Sequence, residues 1–412
     1  MARIRLLFLL NGIAVAIFGP FTSVILQDRG FNPVEIGLLV ALTSIAYMLS
    51  VSTWGHLGDV VLGRARALRY AILLAAALLV VFFLPLPGAA IGIAYIAFAA
   101  CYGAVGPLSD ALAVNALRDP GRQYGAVRAI ASAAFTVAAV LLGLLYGAVG
   151  FGPAGALFVI IAALVALITT RVPDRGRATL TQHRRGGALR EAMAIQPALR
   201  RILVAVGIAY VGVFAGFTFL SLRLVELGGG PPQVALSSAV AAGAEVFAMI
   251  VAGRLAARTG IRLLFAASAL LSAVAFASWA VLASPEAIIA SRAISGAGFA
   301  GMWIASVMTI QLLLPARLQG SGQALIALTT AGLASFVANV TGGLIYATAG
   351  HAALFSVGAA FAVAGSILGW LWMPKRGVRR FVEPASAAVP ASAAEPIAAA
   401  EPIALADPLA GG

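Results

Sequence analysis

The sequence predicts an all-α membrane protein with twelve transmembrane helices in two six-helix bundles. Three observations predict it. The 412 residues are 62% hydrophobic and only 10% charged, against roughly 45–50% and 25% in soluble domains. Twelve apolar runs, near 4–26, 34–54, 68–86, 90–115, 124–149, 153–172, 202–226, 234–256, 263–282, 286–314, 320–346 and 352–373, have about the 20-residue length that a bilayer core of about 30 Å requires of a helix. Finally, the arginines collect in alternate connections, as they do when both chain ends are cytoplasmic.

Each element follows in order. The first run begins after Met1–Arg5 and continues for about 20 residues to Leu26, too long for the ~7–15-residue core of a signal peptide, so it is the first helix. The even-to-odd connections then carry Arg64, Arg66 and Arg69; Arg118 and Arg122; eight arginines between Arg171 and Arg201; Arg254, Arg258 and Arg262; Arg317; and Lys375 to Arg380. The opposite loops hold only Arg29, and the segments around 87–89, 150–152, 283–285 and 347–351 hold no basic residue. The polar stretch 173–201 is the cytoplasmic linker between an N-terminal bundle (1–172) and a C-terminal bundle (202–374). Its portion Ala188 to Met193 fits either a short amphipathic helix on the membrane surface or a solvated linker. The tail 375–412 is rich in Ala and Pro, has few bulky core formers beyond Arg380 and is expected to be disordered.

Composition excludes whole classes of chemistry. Lys375 is the single lysine, so no GxxxxGK phosphate loop exists. Cys101 is the single cysteine, and His56, His183 and His351 fall far apart in predicted loops, so neither a disulfide nor a Cys/His metal site is expected. The formal charge of +13 would suggest nucleic acid in a polar chain; here it is an orientation code. No cofactor and no nucleic-acid partner are expected, only a small-molecule solute, protons and membrane lipid.

A repeat supports the two halves. GHLGDVVLGRAR follows the second run and GRLAARTGIR the eighth, with starts at Gly55 and Gly253, 198 residues apart, as in parallel bundles related by an axis along the membrane normal. At these residues the chain resembles the major facilitator superfamily, whose loop between helices 2 and 3 carries a GxLaDRxGRR pattern with a weaker second copy. Two departures stand out: Asp59 is four residues before Gly63 instead of three, without the following Arg, and the second copy has Ala257 where an acid can stand. The resemblance implies gating roles at the cytoplasmic face for Asp59, Arg64 and Arg258; the alternative is that they only mark topology. PLSDALAVNAL followed by RDPGRQYGAVRAIASAAF is similar to the branch of the lactose permease, the phenylpropionate permease and the nucleoside/proton symporters, in which an acid precedes a [YF]GxxR motif. Asp110 and Arg128 keep that branch's separation of 18 residues. Phe135 stands where the lactose permease has a tryptophan that stacks on sugar. The segment GAGFAGMWIASVMTIQLLLPARLQGSGQAL resembles bacterial sugar-efflux members. The resemblance thus implies a monomeric transporter of the bacterial inner membrane.

Charges inside the membrane cost at least ~2.5–3.5 kcal/mol each and are functional candidates by default. Asp110 and Arg128 lie roughly 12 and 9 Å in from the cytoplasmic loop, at 1.5 Å per residue. There they can pair, either structurally or to bind a solute hydroxyl or carboxylate, with Asn115 and Phe135 as further substrate contacts. Glu245 is near the centre of the eighth run with no basic residue within a turn; it is a candidate proton carrier, with a merely hydrogen-bonded carboxylate as the alternative. Arg292 is placed to partner Glu226 or Glu245 and joins Glu245 as a proton-coupling candidate. Arg223 and Glu226 form an interfacial salt bridge. Asn11, Asn115, Gln311, Gln323 and Asn339 either line a cavity or bond helix to helix. The reading is a secondary transporter working by alternating access, a proton-coupled symporter of a small organic solute of the sugar, nucleoside or aromatic acid class. The alternatives are a proton-driven exporter of sugars or drugs, and a non-transporting receptor or integral enzyme.

Overall fold

The computed structural model describes residues 1–117, 120–172 and 185–375. The expected disordered tail lies outside them except for Lys375, as does the first part of the linker, 173–184. Among the described residues the fold is all helical, with twelve passages: α1 (Ala2–Asp28), α2 (Pro33–Val61), α3 (Arg64–Phe83), α4 (Gly88–Ala116), α5 (Pro120–Val149), α6 (Ala154–Thr169), α7 (Ala198–Glu226), α8 (Pro231–Thr259), α9 (Ile261–Val281), α10 (Pro285–Leu313), α11 (316–349) and α12 (351–372). The last two form one apolar stretch of 57 residues, which as a single rod would be about 85 Å long. It reverses at Gly350, whose φ of 79° and ψ of 178° lie in a region open to glycine alone. An even number of passages puts both termini on one face, called here the terminal side.

Local sequence sets the helix ends and breaks. Asn32 caps α2: its side chain accepts from the Glu35 N–H at 3.0 Å, while the Glu35 carboxylate accepts from the Asn32 N–H at 2.9 Å, a reciprocal capping box. Ser284 caps α10 by accepting from the Ala287 N–H. The Gly19–Pro20 pair interrupts α1 with a tight turn over Gly19–Phe21. In α4 the helix breaks between Tyr102 and Val105. Leu57–Val61 forms a π-turn at the end of α2, closed by the Leu62 N–H donating to Leu57 O at 2.7 Å. A π-turn absorbs one extra residue in a helix, which accounts for the additional residue between Asp59 and Gly63. The repeat is visible in the backbone itself: Gly63 and Gly260 begin α3 and α9 with φ, ψ of 84°, 147° and 90°, 157°.

In the first half α1 packs on α5 and α6, α2 on α4, and α3 on α4 and α6; in the second, α8 packs on α10, and α9 on α10 and α12. The two bundles touch along α2 with α11 and α5 with α8. These seams are tightest away from the terminal side. A Cβ at Gly37 would run into Asn339 O, and one at Gly143 into Ala235 Cβ, so the backbones approach as only glycine permits. Ser23 also donates to Thr218 O at 2.7 Å, and the Ser44 and Ser335 hydroxyls meet at 2.9 Å. The molecule is therefore shut on the far side and open on the terminal side. The outward faces carry Phe247, Val281, Ile93 and Leu333, each more than 60% exposed, as a lipid-facing surface requires. A helix over Arg185–Ile195 covers the portion of the linker around Ala188 to Met193 and packs against the start of α11, where Arg317 bonds Glu191 at 2.5 Å.

Candidate functional site

A cavity of about 510 Å³ lies between the bundles, within the size range of small-molecule sites. α1 contributes Phe8, Asn11 and Val15; α2 contributes Tyr47; α4 contributes Tyr102, Ser109 and Asp110; α5 contributes Arg128, Ser132 and Phe135; and α8 contributes Ala242, Glu245 and Val246. The described wall is thus almost wholly N-terminal, with one carboxylate facing it from the C-terminal half.

The [YF]GxxR motif acquires a geometric reason. Tyr124 and Arg128, four residues apart, share one face of α5, and both reach Asp110 on α4. Arg128 Nη1 donates to Asp110 Oδ1 at 3.3 Å, and the Tyr124 hydroxyl lies close to the same carboxylate. The side chains of Arg128 and Asp110 remain 58% and 34% exposed to the cavity. One long contact between groups so accessible leaves most donors and lone pairs free, as a binding pair needs and a buried structural pair does not. Nearby, Asn11 donates to Ser109 at 2.8 Å while its Oδ1 has no partner among the described residues.

Of the expected site residues, Asp110, Arg128, Phe135 and Glu245 line this one cavity. Asn115 does not; five residues beyond Asp110, it lies about 140° around the helix. Arg292 makes no direct salt bridge with Glu226 or Glu245, but its charge and that of Glu245 act on each other at longer range. Its guanidinium sits 4.9 Å from the Phe217 ring centre and 5.6 Å from that of Trp279, and donates to Ser295 at 3.0 Å. Cation–π contacts in so dry a setting are worth ~2 kcal/mol, enough to compete with a distant carboxylate. Arg223 and Glu226 do form the expected salt bridge, at 3.5 Å; Glu226 also accepts from Tyr346 at 2.7 Å. Asp59 and Arg64 pair at 2.7 Å where α2 turns into α3, both mostly buried, whereas Arg258 stands exposed at the end of α8. Gln323 bonds Val307 O, and Asn339 bonds back to Ser335. The aromatic members Phe8, Tyr47 and Tyr102 carried no signal in the sequence beyond apolar character.

The comparisons with known proteins agree with this architecture. The family model described as MFS_1 like matches residues 2–357. The chain belongs to this family. Among curated relatives, the maltose permease of Geobacillus stearothermophilus is 27% identical over 330 residues, covering 79% of this chain and 82% of that one. The nucleoside transporter NupG superposes with a TM-score of 0.76 at 14% identity, covering 90% of this chain and 97% of that one. A D-xylose–proton symporter superposes with a TM-score of 0.66 at 16% identity, covering 90% and 98%. This major facilitator chain is a multi-pass membrane transporter, and its relatives are transporters rather than enzymes.

Proposed function

We propose that the chain is a proton-coupled symporter of a small neutral polar solute, with a sugar favoured over a nucleoside or an aromatic acid. The observation that carries the proposal is the composition of one cavity: an accessible Asp110–Arg128 pair on one bundle and a carboxyl without a direct salt bridge, Glu245, on the other. Asp110 accepts from solute hydroxyls and Arg128 donates to them, while Tyr124 holds the carboxylate in place. Phe135 and Tyr102 offer ring faces to the solute. The maltose permease relationship favours a sugar within the class.

Coupling follows from the cost of an uncompensated charge in a closing cavity. Glu245 crosses readily when neutral, with proton and solute bound together, or when the cavity is empty and rearranged; half-loaded states switch poorly. Arg292, held against the Phe217 and Trp279 rings, is the positive charge that acts on Glu245 in this step. Asp59 and Arg64 brace the terminal face, and Arg258, with no partner among the described residues, is available to bond when that face shuts. Replacement of Glu245 by Gln is expected to abolish pH-gradient-driven accumulation in proteoliposomes while preserving exchange of labelled for unlabelled solute. Intact accumulation would overturn the coupling role.

A further inference from the structure

A second pocket, of about 310 Å³, continues from the main cavity toward the closed far side. Val15, Tyr47, Tyr102 and Gly103 belong to both, so the two spaces form one cleft. Their chemistry differs. The deep pocket is walled by Phe18, Tyr95, Phe98, Ala99 and Ala331 and contains no charged side chain. Away from the Tyr47 and Tyr102 hydroxyls at the border with the main cavity, its hydroxyl protons are largely used: Thr22 donates to Phe18 O, Thr43 to Val40 O, and Ser44 meets Ser335. A hydroxyl-rich group placed there would lose its hydration and find few partners in return. An apolar ring or alkyl arm would lose nothing and would meet aromatic faces.

We infer that the cleft recognises a two-part solute, a glycoside whose sugar ring binds Asp110 and Arg128 while an apolar aglycone fills the deep pocket. This inference rests on the proposed sugar-binding role of the main cavity and adds a selectivity that the main cavity lacks. A free monosaccharide would occupy only the polar part of the cleft. An aryl glucoside would occupy both and would bind more tightly for each apolar atom buried.

The test uses methyl and phenyl glucoside as matched probes, titrated calorimetrically into the full-length protein in detergent. The unaltered chain should bind the phenyl compound at least about tenfold more tightly, a modest return for burying a ring. Ala99→Leu fills the deep pocket from α4 and should bring the ratio to about one, with methyl glucoside affinity kept within about twofold. Retained methyl glucoside binding also shows that the variant is folded; Ala331→Leu fills the pocket from α11 and decides the matter if Ala99→Leu loses both ligands. Equal affinity of the two probes in the unaltered chain, binding of neither, or an unchanged ratio or equal loss of both in Ala331→Leu overturns the inference. Asp110→Asn should weaken both probes together; if it weakens neither while the ratio stands, the main-cavity assignment fails and the deep pocket does not.

Discussion

At the residue scale the central question is why Asp110 attracts two partners and is still available to a third. Tyr124 and Arg128 approach it from one helix face, and the Arg128 contact is single and long. Tyr124→Phe removes the hydroxyl that lies beside the Asp110 carboxylate and leaves the charge pair in place. Solute affinity, read by thermal shift or calorimetry, is expected to fall by about two- to tenfold without loss of fold. An unchanged affinity would mean that the tyrosine does not position the carboxylate. Much of this site was legible in the sequence, because an acid and an arginine inside apolar helices have few other reasons to exist. Asp110, Arg128 and Glu245 stood out by cost alone. Phe8, Tyr47 and Tyr102 did not, since an aromatic on a membrane helix is ordinary whether it faces lipid, core or cavity. The misplacement of Asn115 has the same root: depth can be counted from a helix end, but the facing direction depends on how the helix is rotated in its bundle. Arg292 was found by its charge, and its aromatic partners could not be, because Phe217 and Trp279 come from two other helices.

At the element scale the breaks and close approaches matter more than the regular helices. Length and hydropathy reveal where a helix crosses, and the twelve runs overlap the twelve observed passages. They do not reveal that α1, α2 and α4 are interrupted, because Gly, Pro and an inserted residue are each compatible with a continuous membrane helix. The π-turn in α2 is an exception in hindsight, announced by one residue too many between Asp59 and Gly63. The α5–α8 seam gives a prediction at this scale. Gly143 lies against Ala235 and Pro231, and Gly147 against Pro232, so Gly143→Leu has no room while the far side is shut. The variant should favour the state open on that side, with far-side cysteine probes labelled faster and net uptake reduced. Labelling that stays at the wild-type rate would place the closing contact elsewhere.

At the scale of the whole molecule, alternating access requires the far-side seams to part in each cycle. Ser44 and Ser335 face each other across α2 and α11 with their oxygens 2.9 Å apart, near enough for a disulfide once both are cysteine. Ser44→Cys with Ser335→Cys is expected to stop transport under oxidising conditions and to recover it with reductant, while solute still binds from the terminal side. Transport that persists in the cross-linked protein would show that this seam need not open. The linker helix over Arg185–Ile195, tied to α11 through Glu191 and Arg317, adds a strap on the terminal side that a rocking motion must carry with it.

The uneven ownership of the cavity has a consequence for how such a protein can change over time. The first bundle supplies the described wall apart from Ala242, Glu245 and Val246 of α8. If the proposed roles hold, what is recognised and what supplies the driving force are encoded in largely separate stretches of the chain. Substitutions in the first stretch can retune the cargo without disturbing the engine, and a hybrid that joins this first half to a related second half should inherit its tastes from one parent and its energy source from the other.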